Sequence, residues 1–382
     1  MSFQHGKIAT ISFGHFTHDV YTAFLSTMLP KIIQHLGISH GLAGMLFFVQ
    51  RLPNAFNFLI GIWATRIKSR YFVIISPAIT GLGMSFLGMA PGYISLLLIL
   101  LTVGISNTFF HVPSPVMIRK IAGDRVGLGM SYFMVGGELA RTTGPLVIAA
   151  AVSTYGLEGT YRLAPFGILA SVLLYFKLKN VDIQKEIPEN KRNRDFIRTF
   201  KKHAWFFGII IGFAVFRALM KSALTNFLPT YMNPDGTESI WVGGVPLAVM
   251  QFAGVAGTFI TGALSDKINK RNLMVVLAIL TPIAMFLFTI NDINWLNYPL
   301  LIVLGFLVFA PGPVLLSIVQ QRQSEHPEFI NGVYMTINFL SGSIAVLFVG
   351  FLSDLINMHN TYLLASIIGI GVIPFALKLT GR

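Results

Sequence analysis

Of 382 residues, 54% are hydrophobic and only 11% are charged, too little charge to clothe a soluble domain of this length. Cysteine is absent, which excludes disulfides and thiolate metal centres. The net charge of +13 would suit a nucleic-acid partner if it were gathered on one soluble domain, but it is scattered through short segments between apolar runs, so no nucleic acid is expected to bind.

A helix needs about 20 apolar residues to cross the hydrocarbon core of a bilayer. The chain offers twelve such spans, at 8–33, 41–64, 72–90, 94–118, 127–153, 161–178, 205–231, 241–265, 272–290, 297–320, 330–354 and 360–377. Span 1 follows the short lead Met1–Lys7, which lacks a cleavable signal, and is expected to act as its own insertion signal. The runs Phe72–Ala90, Asn272–Ile290, Leu296–Gln321 and Phe329–Ser353 contain no Asp, Glu, Lys or Arg, and are too long and too evenly apolar for barrel strands. An even number of spans puts both termini on one side. Nine Lys and Arg fall within 177–204, whereas the loops 91–93, 154–160, 232–240, 291–296 and 355–359 have none. The positive-inside rule then places both termini and the polar linker in the cytoplasm, as expected of a multi-pass protein of the bacterial cytoplasmic (inner) membrane.

The second half repeats the first at a spacing of about 200 residues. Leu29-Pro30 ends span 1 and Leu228-Pro229 ends span 7. Gly61–Arg66 closes span 2 and Gly262–Lys267 closes span 8. Pro113-Ser-Pro115-Val116 in span 4 is matched by Pro311-Gly-Pro313-Val314 in span 10. The predicted architecture is an all-α membrane protein of two pseudo-symmetric six-helix bundles, 1–178 and 205–382, joined by a cytoplasmic linker at 179–204.

Gly262, Asp266, Lys267, Asn269, Lys270 and Arg271 match the loop signature G-x-x-x-D-[RK]-x-[GN]-[RK]-[RK], and the equivalent earlier loop keeps Gly61, Arg66 and Arg70, with Thr65 in place of the acid. In these residues the chain resembles the major facilitator superfamily. Gly14-His15-Phe16-Thr17-His18-Asp19, Phe110-His111-Val112-Pro113, Gly136-Gly137 and Gly144-Pro145 resemble the fosmidomycin-resistance efflux branch, although His18 replaces its Asn and Val112 interrupts its F-H-P run. The resemblance implies the twelve-helix fold, alternating access, and an efflux antiporter. It also implies a cytoplasmic gate formed by Asp266, Lys267, Arg271, Arg66 and Arg70, in which the carboxylate pairs with cations or caps a helix. The changes fall at cavity positions, so the drug itself is not carried over.

Ionisable side chains at bilayer depth cost at least ~2.5–3.5 kcal/mol each and therefore mark function. They are His15, His18 and Asp19 in span 1, Arg51 in span 2, His111 in span 4, Glu138 and Arg141 in span 5, and Arg217 and Lys221 in span 7. His15 and Asp19 share a helix face, as do Glu138 and Arg141, and Arg217 and Lys221. Cations outnumber acids, and span 7 holds no acid to offset Arg217 and Lys221. Arg forks suit carboxylate or phosphate, so a small anionic substrate is expected at Arg51, Arg141, Arg217 and Lys221, with Gln50, Asn54 and His111 lining the path. Asp19 and Glu138 suit proton coupling, assisted by His15 and His18, because burial favours the neutral acid and a nearby cation the ionised one.

Each group also has a plainer reading. Glu138 and Arg141 could neutralise one another as a structural pair. His111 could be a packing residue, and Gln50 and Asn54 could tie helices together. His15, His18 and Asp19 suggest a metal, but few acids stand nearby, so neither a resident metal nor a cofactor is expected. The protein is thus read as a proton-coupled exporter of a small organic anion or drug, able to work as a monomer in the lipid bilayer. The same fold could instead import a nutrient or a metal chelate. A membrane-embedded lipid-modifying enzyme is disfavoured, since no HExxH motif, acid pair or phosphate loop is present, and no enzymatic activity is expected.

Overall fold

The computed structural model describes residues 3–57, 70–181, 196–265, 267–322 and 327–379, which are helical with short connections and contain no strand. We number the α-helices in chain order. They are α1 (His5–Thr22), α2 (Phe24–Leu36), α3 (His40–Arg51), α4 (Arg70–Ser85), α5 (Tyr93–His111), α6 (Ser114–Ile121), α7 (Val126–Tyr155) and α8 (Ala164–Leu178). The second half continues with α9 (Phe196–Asn226), α10 (Leu228–Met232), α11 (Trp241–Leu264), α12 (Lys270–Thr289), α13 (Asn297–Phe309), α14 (Pro311–Gln320), α15 (Pro327–Ile356), α16 (Met358–Gly369) and α17 (Val372–Lys378).

Nine helical stretches among the described residues are long and apolar enough to cross a membrane. The predicted spans 1, 2 and 5 are not among them. Span 1 is broken at Ala23 between α1 and α2. Span 2 runs through α3 and a 3₁₀ turn over Leu52–Phe56, and its remainder lies outside the described residues. Span 5 is the continuous 30-residue α7, whose apolar character is diluted by Glu138 and Arg141.

Proline decides where spans 4 and 10 break. Pro113 separates α5 from α6, and Pro311 separates α13 from α14, because proline supplies no backbone N–H and its ring clashes with the preceding turn. Side chains cap other starts: Asn269 accepts from the Asn272 amide at the head of α12, and Asn357 accepts from that of Asn360 at the head of α16.

The chain groups into two compact units. Unit 1 comprises Met1–Ile38, Leu46–Pro188 and Met232–Ala248, and unit 2 comprises Ser39–Met45, Glu189–Tyr231 and Val249–Arg382. Within unit 1, α1 lies along α7, while α4 packs against α5 and α8. Within unit 2, α9 lies along α15, while α12 packs against α13, α16 and α17. The repeat in sequence is therefore matched by a repeat in packing partners.

Glycine permits the close approach of α1 and α7. A Cβ on Gly136 would stand 2.5 Å from the Ser12 carbonyl oxygen, and one on Gly144 would stand 2.8 Å from that of Val20. Below this seam Ile8, Ile11, Phe110, Met117, Ile118, Phe133 and Leu174 form a buried apolar cluster. Large apolar side chains are also exposed throughout, among them Ile94, Phe166, Phe176, Trp205, Phe252 and Leu355, a surface that suits lipid tails rather than water.

Candidate functional site

Asp19, near the end of α1, is the common acceptor of three imidazoles. His18 Nδ1 lies 2.9 Å from Asp19 Oδ1, His111 Nε2 lies 3.1 Å from the same oxygen, and His15 Nε2 lies 3.1 Å from Oδ2. His15 and Asp19 meet because four residues return a helix to the same face. His111 is brought in by the last turn of α5, immediately before the proline break. Aromatic rings hold the imidazoles in place: His15 stacks on Phe133 at 3.8 Å and His18 on Phe110 at 4.8 Å. The cluster is closed around His15 and His18 and open at His111, whose side chain is 33% exposed against 13% for Asp19.

The outer partners of these rings decide where protons must lie. His15 Nδ1 donates to the Phe133 carbonyl at 2.7 Å, and since that carbonyl can only accept, the hydrogen is on Nδ1. Across the ring, Nε2 faces an Asp19 oxygen at hydrogen-bond distance, so a further proton is shared between them. On the other side, the Ser106 hydroxyl donates to the Ser76 carbonyl at 3.0 Å and the Thr80 hydroxyl donates to Ser106 at 2.8 Å. Thr80 thus offers His18 Nε2, 3.1 Å away, only a lone pair, and His18 is the donor.

His15, Asp19 and His111 each also present one atom of the kind that holds a metal ion, all within 4.8 Å of one another. Their nitrogen–oxygen spacings are those of shared protons, and the third imidazole, His18, completes a hydrogen-bonded set.

Along the same seam, α7 carries Glu138 and Arg141. Arg141 Nη2 donates to Glu138 Oε1 at 2.5 Å, with the acid 10% and the arginine 40% exposed. Next to Glu138, Gly137 makes room for His15, as a Cβ there would stand 2.6 Å from the ring's Cε1.

In unit 2, α9 brings Arg217 and Lys221 to the junction of α13 and α14. Arg217 Nη2 donates to the Val308 carbonyl at 2.8 Å, and Lys221 Nζ lies 5.2 Å from the centre of the Phe309 ring. Arg217 Nε is buried and meets no acceptor among the described residues. The space between these residues is about 10 Å³, at the lower limit for one water molecule.

The remaining expected residues are dispersed. Arg51 and Gln50 are half-buried at the end of α3. Asn54 Oδ1 accepts from Asn107 Nδ2 at 3.2 Å and from Thr108 Oγ1 at 3.1 Å, tying the 3₁₀ turn to α5. Of the gate residues, Asp266 and Arg66 lie outside the described residues, Lys267 and Arg271 are exposed, and Arg70 donates to the Val181 carbonyl at 3.2 Å. Lys270 in the same signature donates to Ser317 Oγ at 2.7 Å. Sequence reading does not identify Thr80 and Ser106, because isolated hydroxyls are common in membrane helices and carry no spacing signal.

The signature of the Major Facilitator Superfamily matches residues 11–346. The chain is 21% identical to the fosmidomycin resistance protein of Escherichia coli (strain K12) over 362 residues, covering 94% of this chain and 88% of the other. It is 22% identical to an uncharacterized MFS-type transporter, YfnC, of Bacillus subtilis (strain 168) over 373 residues, covering 95% and 90%. In fold it is similar to a bacterial homologue of the human lysosomal transporter Spinster in an inward-facing, unoccupied conformation, with a TM-score of 0.83 and 13% identity over 98% of this chain and 96% of that one. The nucleoside transporter NupG follows with a TM-score of 0.78 and 12% identity over 98% and 99%.

Proposed function

The chain belongs to the major facilitator superfamily, and from that premise we propose that it is a secondary active transporter that exports a small organic anion in exchange for protons. The observation that carries this reading is the convergence of His15, His18 and His111 on the Asp19 carboxylate. Three imidazoles hydrogen-bonded to one largely buried carboxylate are suited to taking up protons on one side of a membrane and giving them up on the other. Arg217 and Lys221 supply the positive charge for the substrate, as α9 contains no acid. Arg51 and Arg141 add to that charge, with Gln50 and Asn54 along the path, and His111 stands where proton and substrate would be sensed together. Glu138 is the second proton-coupling acid.

The protein works by alternating access, with two six-helix halves, 1–178 and 205–382, rocking about a central site and the segment 179–204 linking them. It spans the bacterial inner membrane twelve times, with both termini in the cytoplasm, and acts as a monomer. Asp266, Lys267, Arg271, Arg66 and Arg70 gate the cytoplasmic side. Export is favoured by the relative's name, since resistance to a drug is what efflux would produce.

Proteoliposomes with an imposed pH gradient test this. The assay follows a panel of organic phosphonates and carboxylates, fosmidomycin included. The wild type is expected to drive one or more of them against the proton flow. Asp19→Asn is expected to lose gradient-driven flux by at least tenfold while keeping substrate exchange at equal pH. Gradient-driven flux that survives in Asp19→Asn would remove proton coupling from this site, and flux with the proton flow would make the protein an importer.

A further inference from the structure

Where a helix is broken by proline, backbone carbonyls lose their helical donors. In α13 the carbonyls of Leu307 and Phe309 would pair with the N–H groups of residues 311 and 313, and both are proline. Between them stands Val308, whose carbonyl accepts from Arg217 at 2.8 Å. The next residue, Phe309, lies beneath the Lys221 ammonium at 5.2 Å. Two cations one helical turn apart on α9 therefore hold two consecutive residues at the break.

Unit 1 repeats the arrangement with different chemistry. His111 stands two residues before Pro113, as Phe309 stands two before Pro311, and His111 is bound by Asp19 of α1 at 3.1 Å. In each unit the broken helix is fastened at the same point to an ionisable side chain of the unit's leading long helix.

We infer that Arg217 and Lys221 latch the α13–α14 break, and that an anionic ligand opens the latch by taking the guanidinium away from the Val308 carbonyl. The latch stands on the contacts above, and its release rests on the anion reading of Arg217 under Proposed function. A carboxylate or phosphonate accepts two parallel N–H groups from one fork and brings a full opposite charge, whereas the Val308 carbonyl takes a single bond from the same guanidinium. Arg217 Nε, buried and without an acceptor among the described residues, is the donor left over for the second bond. The space beside it, about 10 Å³, admits no such ligand while the Val308 contact is made. Binding and unlatching therefore occur together, and substrate occupancy is converted into freedom of a broken helix.

Hydrogen exchange on the full chain in lipid nanodiscs tests both parts. In the absence of ligand, Arg217→Met is expected to speed exchange about tenfold or more in peptides covering 304–318, the loss anticipated for a hydrogen bond from a charged group. Peptides from α5 and α6 should be unchanged. Lys221→Met serves if Arg217→Met does not fold, and should act on the same peptides more weakly. Phosphonoacetate, as the anion probe, is expected to raise exchange over 304–318 in the wild type and to leave Arg217→Met as it is. Unchanged exchange in both variants overturns the latch. Binding of phosphonoacetate, seen as a rise in Tm, without faster exchange overturns its release by anions. No binding at all overturns the anion reading itself and the release with it, and the variants then decide the latch alone.

Discussion

Gly137 holds open the space that the His15 ring fills, since a Cβ at 137 would lie 2.6 Å from the ring's Cε1. Its neighbour Gly136 instead faces backbone, 2.5 Å from the Ser12 carbonyl oxygen by the same measure. The two glycines therefore predict different failures. Gly136→Ala should push α1 and α7 apart and cost about 1–3 kcal/mol, as overpacking does, leaving the pH profile of transport where it was. Gly137→Ala should displace the ring from Asp19 and Phe133, shifting that profile and lowering gradient-driven flux about tenfold, the scale of one lost hydrogen bond to a charged group. Thermal unfolding and pH-resolved flux in proteoliposomes separate the two.

Glu138 and Arg141 are unequally buried, and that asymmetry sets the outcome of removing either. Arg141→Gln leaves a carboxyl side chain only 10% exposed without its partner, and should cost about 3 kcal/mol. Glu138→Gln leaves an arginine that is 40% exposed and can reach solvent or headgroups, and should cost about 1 kcal/mol. The double variant should recover most of the loss. A double-mutant cycle on thermal stability gives the coupling directly. Additive losses would show that the two side chains act separately.

Asn54 contributes to the fold through its acceptor oxygen, which takes bonds from Asn107 and Thr108. Asn54→Gln keeps an uncharged amide acceptor on that turn and should cost about 1 kcal/mol or less. Asn54→Leu takes the acceptor from Asn107, while Thr108 keeps the Gly104 carbonyl at 3.2 Å, and should cost about 1–3 kcal/mol. Should Asn54→Leu fold as stably as the wild type but lose substrate, the side chain would belong to the binding path instead.

Apolar run length and the absence of charge along it picked out the nine helical stretches that are long and apolar enough to cross a membrane among the described residues, because a spanning backbone must satisfy its own hydrogen bonds whatever surrounds it. Pro113 and Pro311 entered the sequence reading only as markers of the repeat within continuous spans, and the breaks between α5 and α6 and between α13 and α14 were seen in the structure. The loop signature around Gly262 and Lys270 and the repeated Leu-Pro and Pro-x-Pro pairs were enough to suggest the superfamily.

The i,i+4 spacing brought His15 to Asp19, and the i,i+3 spacing brought Arg141 to Glu138, because helical periodicity is local. That His111 belongs with Asp19 could not be read in this way. Ninety-two positions separate them, and only the packing of α5 against its neighbours in unit 1 closes that distance. For the same reason Thr80, Ser106 and the Phe133 carbonyl, which together dictate where the protons of His15 and His18 must lie, became visible only once three helices were in place. Hydropathy and spacing along one chain determine which segments enter the membrane and which faces they share. Which donor meets which acceptor across helices is decided by tertiary packing, because a hydrogen bond depends on a few tenths of an ångström that no one-dimensional pattern specifies.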